Sequence, residues 1–261
     1  MTTENHKPKA RIIAVVNQKG GVGKTTTVIN VGAALSQLGN KVLLVDLDPQ
    51  GNLSVSAGVP PQGLEDNTIF EVLKDVLPVK EAIYKAKKFD ILPANINLSG
   101  AEVELSGTAG REFLLREALE TIQDDYDYIL IDCSPSLGIL TLNALVAAKE
   151  VFIPLQPEYL AMQGITQLVN TVSIVKSRLN KEIGITGVIV TMYDNRKNLN
   201  KEVVDKIKQF FDEKLFKTYI RAAVSLAEAP SFGVDIFDYK PNSTGADDYL
   251  ALTKEINKKR K

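Results

Sequence analysis

A single α/β domain, with a mostly parallel, twisted sheet and helices on both of its faces, is the fold this sequence predicts. Three observations predict it. Apolar runs of strand length recur along the chain, helical patterns fall between them, and a glycine-rich turn joins the first run to the first helix. Such alternation requires crossover connections, which lay neighbouring strands parallel. At 261 residues the chain is near the upper limit of one core. Residues 11–261 are therefore assigned to one domain, and the polar residues 1–10, which carry the only histidine, His6, to a flexible tail.

Taken in order, residues 12–16 (Ile-Ile-Ala-Val-Val) are the first buried strand, and residues 27–35 continue a helix that Gly39-Asn40 stops. Residues 41–46 are a second strand ending in Asp46, followed by a loop, Leu47-Asp48-Pro49-Gln50-Gly51-Asn52. After a break at Gly58-Val59-Pro60-Pro61, a helix is predicted to start near Thr68, a short strand over 89–93 and an amphipathic helix over 110–123. Residues 126–132 form a strand that delivers Asp132, and residues 151–155 and 185–191 are two more, with a helix over 162–179 between them. Residues 195–201 open a charged helix, and residues 246–258 close the domain.

Chemistry concentrates in the first turn, Lys19-Gly20-Gly21-Val22-Gly23-Lys24-Thr25-Thr26. Glycines leave backbone N–H groups free to wrap a phosphate, and the positive end of the following helix points at the same spot. Lys24 then reaches the terminal phosphates, and the Thr25 hydroxyl completes a Mg²⁺ shell with phosphate oxygens. Gln18 stands where the usual phosphate loop has its first glycine, and Lys19 adds a second cation beside it. Asp46, Asp48 and Asp132 arrive at the C-terminal edge of the sheet, where open parallel sheets bind ligands. Two tasks await such carboxylates: ordering Mg²⁺-bound water, and orienting the attacking water or coupling hydrolysis to closure.

The loop, together with Asp46-Leu47-Asp48-Pro49-Gln50 and Ile131-Asp132-Cys133-Ser134-Pro135-Ser136, resembles the deviant Walker A branch of P-loop NTPases, the ParA/MinD family. The resemblance covers the chain after residue 10. It implies a slow, partner-stimulated ATPase in which Lys19 crosses a dimer interface to the partner's nucleotide, so that ATP drives homodimerisation. It further implies that Asp48 serves hydrolysis, that Asp132 holds Mg²⁺ as the Walker B carboxylate, that residues 133–138 sense the nucleotide, and that Met192 and the backbone at Arg221 and Ala223 border the adenine. Arg196 corresponds to a non-specific DNA surface, to which Lys197, Lys201 and the basic end Lys258-Lys259-Arg260-Lys261 are expected to add compensating cations, and a ParB-like protein is the stimulating partner in chromosome or plasmid segregation. One departure stands out: in the segment 217–231, Arg221 replaces a proline, and Ala222 and Ser225 replace arginines.

Composition narrows the alternatives. A single Cys133 excludes an internal disulfide and is too few for a cluster-bearing nitrogenase-reductase-like protein. With His6 alone, neither Ser-His-Asp catalysis nor a histidine zinc site can be built. No long apolar run suggests a membrane span, so a cytoplasmic protein is expected. A MinD-like membrane switch would need an apolar face on the last helix, whose end, Asn257-Lys258-Lys259-Arg260-Lys261, is basic instead. With ten residues before the first strand, no separate helix-turn-helix of a repressor is expected ahead of the phosphate loop. Residues 171–221 hold 11 Lys/Arg against 6 Asp/Glu, a surplus of 11 − 6 = +5 in a chain of net charge −1. Two readings stand, a basic face for a polyanion or chance clustering of solvated charge.

Overall fold

The computed structural model describes residues 9–60, 64, 66–158 and 161–258. The expected tail up to residue 8, Pro61 and the basic end 259–261 lie outside the described residues. The first half of the chain runs β1 (Arg11–Val15), α1 (Lys24–Gln37), β2 (Val42–Leu47), α2 (Asn52–Ser56), α3 (Ile69–Leu73), α4 (Val79–Ala82), β3 (Tyr84–Lys85), β4 (Asp90–Leu92), α5 (Ala101–Glu104), α6 (Leu114–Glu120) and β5 (Tyr128–Cys133). The second half runs α7 (Ile139–Ala147), β6 (Glu150–Leu155), α8 (Ala161–Arg178), β7 (Gly184–Val190), α9 (Asn198–Phe211), α10 (Val224–Glu228), α11 (Ile236–Tyr239) and α12 (Thr244–Lys258).

The strands form one sheet in the order β3-β4-β2-β5-β1-β6-β7, parallel except for the short edge strand β3. Alternate residues of each strand feed opposite faces. Ile12 and Ala14 join the core under α3, α6, α7 and α8, whereas Ile13 and Val15 pack with Val28 and Ile29 of α1 and with Tyr249 and Leu252 of α12. At Gly32 a Cβ would stand 2.6 Å from Leu44 Cδ2, so α1 lies closer to the sheet than any side chain would allow. That approach aims the start of α1 at the strand ends.

Several expectations need correcting. The helix predicted over 110–123 is only α6: Gly110, at φ +70°, accepts from the Phe113 amide in a turn, and residues 123–125 tighten into a 3₁₀ turn. Ala10, assigned above to the tail, is instead buried, and its amide donates to the Gln123 carbonyl. Neither β3 nor α7 was predicted. The helix expected near Thr68 forms as α3, with a capping box in which Thr68 and Glu71 exchange hydrogen bonds.

Candidate functional site

The sheet register assembles the site. Val15 pairs with Asp132 and Asp132 with Asp46, so the ends of β1, β5 and β2 lie side by side beneath the glycine loop. Gly21 (φ +72°) and Gly23 (φ +84°) take left-handed backbone that a side chain would strain. Two hydrogen bonds pin the loop: Asn17 Nδ2 donates to the Pro154 carbonyl at 2.7 Å, and Thr191 Oγ1 to the Val22 carbonyl at 2.8 Å. Asn17 also accepts from the Lys19 amide, 3.0 Å. Neither residue was singled out from the sequence, since their partners lie over a hundred residues away.

At the head of α1 the Thr25 hydroxyl donates to Asp132 Oδ2 at 2.6 Å. Asp132 Oδ1 is buried and has no hydrogen-bond partner among the described residues, which is costly for a carboxylate unless a cation or bound water completes it. Burial first, and then the charge of Asp46, pushes the Asp132 carboxyl well above the usual range; Thr25 and Lys24 oppose the rise. Lys24 is itself buried, and that burial lowers its pKa. A hydroxyl and a carboxylate form an all-oxygen donor set that suits a hard divalent ion, and Thr25 and Asp132 fit Mg²⁺ on that ground. Among the described residues no cluster of three or more His, Cys, Asp or Glu makes a closed cage. Mg²⁺ favours such open sites, where substrate phosphates supply the remaining ligands.

Asp46, expected beside the metal, has both oxygens engaged. Oδ2 accepts from the Ser54 amide and hydroxyl (2.8 and 2.7 Å), and Oδ1 from the Asp48 amide at 3.2 Å. Burial pushes Asp46 up to about 6 against these bonds. Asp46 thus ties β2 to α2 and shapes the turn that presents Asp48, whose own carboxylate accepts from the Gln50 amide at 3.0 Å. Ser54 also receives the Ala94 amide, 3.0 Å. Ser54→Ala is therefore expected to lower stability by about 2 kcal/mol, read as the urea midpoint; an unchanged midpoint would refute this anchor.

Lys19 forms an ion pair with Glu158 of its own subunit, both about half exposed. Cys133, next to Asp132, is buried, and burial raises its thiol pKa far from the reactive range. Beyond Gly23 and Thr26, Met192, Arg221 and Ala223 come together around a cavity of about 120 Å³ that Tyr249 also lines. The residues expected near adenine thus line one hollow beside the loop.

Around α9 the expected cations are exposed but not all free. Arg196 donates to both oxygens of Asp194 (2.9 Å each), while Lys197 and Lys201 face solvent. Asn200 fixes the first turn of α9, accepting from the Asp194 amide and donating to the Pro157 carbonyl, both 2.9 Å. Glu202 and Asp205 share the exposed side with Lys206 and Lys208, so that face is mixed in charge.

A parallel sheet with a left-handed glycine loop over paired aspartates defines a P-loop NTPase. Comparisons with known proteins agree and narrow the class. A family model described as an AAA domain matches residues 10–185. The sporulation initiation inhibitor protein Soj of Bacillus subtilis is 48% identical over 94% of this chain and 98% of its own length. The chromosome partitioning protein ParA of Myxococcus xanthus is 45% identical, over 95% and 88%. The crystal structure of cobyrinic acid a,c-diamide synthase from Mycobacterium smegmatis with bound ATP analog and magnesium superimposes with a TM-score of 0.84 at 38% identity, covering 95% of each chain. The chain belongs to the ParA/Soj family of P-loop ATPases.

Proposed function

We propose that this chain is a ParA-type partition ATPase, which binds ATP and Mg²⁺ at the loop, pairs with a second copy, and drives segregation of chromosomal or plasmid DNA. The observation that carries the reading is the Thr25–Asp132 contact, with its unsatisfied carboxylate oxygen, directly below the glycine loop. Thr25 and Asp132 hold the metal, which neutralises phosphate charge when bound. Asp46 acts one step back, fixing the turn that carries Asp48. Lys24 reaches the terminal phosphates, the backbone from Gly20 to Thr26 wraps them, and Asp48 orients the attacking water. Lys19 leaves Glu158 and crosses to the partner's nucleotide. Hydrolysis is slow until a ParB-like protein stimulates it.

On this reading the ATP-bound dimer holds DNA through cations facing phosphates, without reading bases. Arg196, Lys197 and Lys201 supply that contact; the Arg196 side chain is 86% exposed, so its guanidinium is accessible to a phosphate although the largely buried Asp194 holds one edge of it. Arg196→Glu is expected to weaken binding to all DNA sequences alike and to reduce the salt dependence by about one phosphate contact; undiminished binding in a salt titration would remove this residue from the surface. A membrane-seated reading finds no support in α12, where Ala246, Tyr249, Leu252 and Ile256 are buried in the core. Among the described residues no helix is long and apolar enough to cross a membrane. The deciding test of the function is salt-sensitive retention of non-specific DNA with ATP and Mg²⁺ against ADP; equal retention in both states would overturn it.

A further inference from the structure

We infer that the Arg221 side chain is a base-recognition element, held in place by Asp248. The inference rests on the nucleotide reading above and extends it to a residue that this chain carries in place of the proline of the resembling segment.

The backbone brings Arg221 to the site. Tyr193, just past β7, bridges to Arg221: its amide donates to the Ile220 carbonyl at 2.9 Å and its carbonyl accepts from the Ala222 amide at 3.2 Å. Asp248, in the second turn of α12, then clamps the side chain. Oδ2 accepts from the Arg221 amide and from Nε, both 2.9 Å, and Oδ1 accepts from Nη2 at 2.7 Å. An ordinary surface ion pair is loose and adds little. This one differs, because the Asp248 side chain is only 10% exposed while that of Arg221 is 51% exposed, so a nearly buried carboxylate fixes the plane of an accessible guanidinium.

Arg221 lines the cavity beside the loop, whose other walls include Met192, Ile220, Ala223 and Leu226. Nη1 has no protein partner among the described residues. An apolar slot with a flat, delocalised cation at its edge fits a flat heteroaromatic ring: guanidinium stacks on such rings and donates to their edge acceptors. Neither a phosphate nor a metal has a use for the slot. Arg221 therefore touches the base, and Asp248 is a positioning residue.

The test compares ATP with inorganic tripolyphosphate, which keeps the phosphate charge and lacks the base, by calorimetric titration in Mg²⁺. Arg221→Ala is expected to weaken ATP about tenfold, the lower end of what base stacking contributes, and to leave tripolyphosphate within about twofold of the parent. Asp248→Asn keeps the shape of the support without its charge and should show the same ATP-only loss, as should Arg221→Lys, which keeps the cation and loses the planar fork. Unchanged ATP affinity in Arg221→Ala overturns the inference. So does an equal loss for both ligands, which would make the pair a prop for the fold. Wild-type protein that binds neither ligand would bring down the nucleotide site itself.

Discussion

Lys19→Ala is expected to yield a chain that binds ATP and stays monomeric. Nothing in the loop's own architecture depends on the Lys19 side chain: its pinning bonds come from Asn17 and Thr191, and the buried cation is Lys24. The side chain spends its charge on Glu158 in an exposed pair, an interaction worth only about 0–1 kcal/mol and readily exchanged for a triphosphate. Two triphosphates brought face to face repel strongly unless cations from each side intervene. Light scattering with a non-hydrolysable ATP analogue and Mg²⁺ checks the outcome; a normal dimer from the variant would show that Lys19 does not cross the interface.

Asp48→Ala is expected to separate binding from turnover. The residue sits on the turn that Asp46 shapes and hydrogen-bonds neither Thr25 nor Asp132, its charge reaching Asp132 and Lys24 only through space, so loss of its carboxylate should largely spare ATP and Mg²⁺ binding while lowering the hydrolysis rate about 10²-fold or more. ATP-bound dimer should then accumulate. Asp48→Asn, which can still accept from the Gln50 amide, keeps the turn and serves as the control for local unfolding. Turnover at the parent rate in both variants would take Asp48 out of the chemistry.

What could be read from the residues alone follows from where each signal lies. Parallel strands buried on both faces are near-continuous apolar runs, so β1, β2, β5, β6 and β7 were legible, and so was the glycine loop. Helix α7 was missed because Leu140, Ala144, Leu145, Val146 and Ala147 are all buried, which erases the amphipathic period. Helix α6 was drawn too long because its apolar pattern continues into turns on both sides. Asn17, Ser54, Glu158 and Asn200 act through partners distant in sequence, and no local pattern announces such pairs. Arg196 shows the converse: its charge was visible, its tether to Asp194 was not. The adenine-side residues were reached through resemblance, and the fork that Asp248 makes with Arg221 emerged only in three dimensions.

Burial of the chain's one thiol has a practical side. Maleimide dyes attack thiolates at the surface, and Cys133 is both shielded and held protonated. A cysteine engineered at an exposed position such as Lys197 would then be the sole reactive handle. The wild-type background is thus already suited to fluorescence tracking of dimer exchange, without first removing a native sulfur.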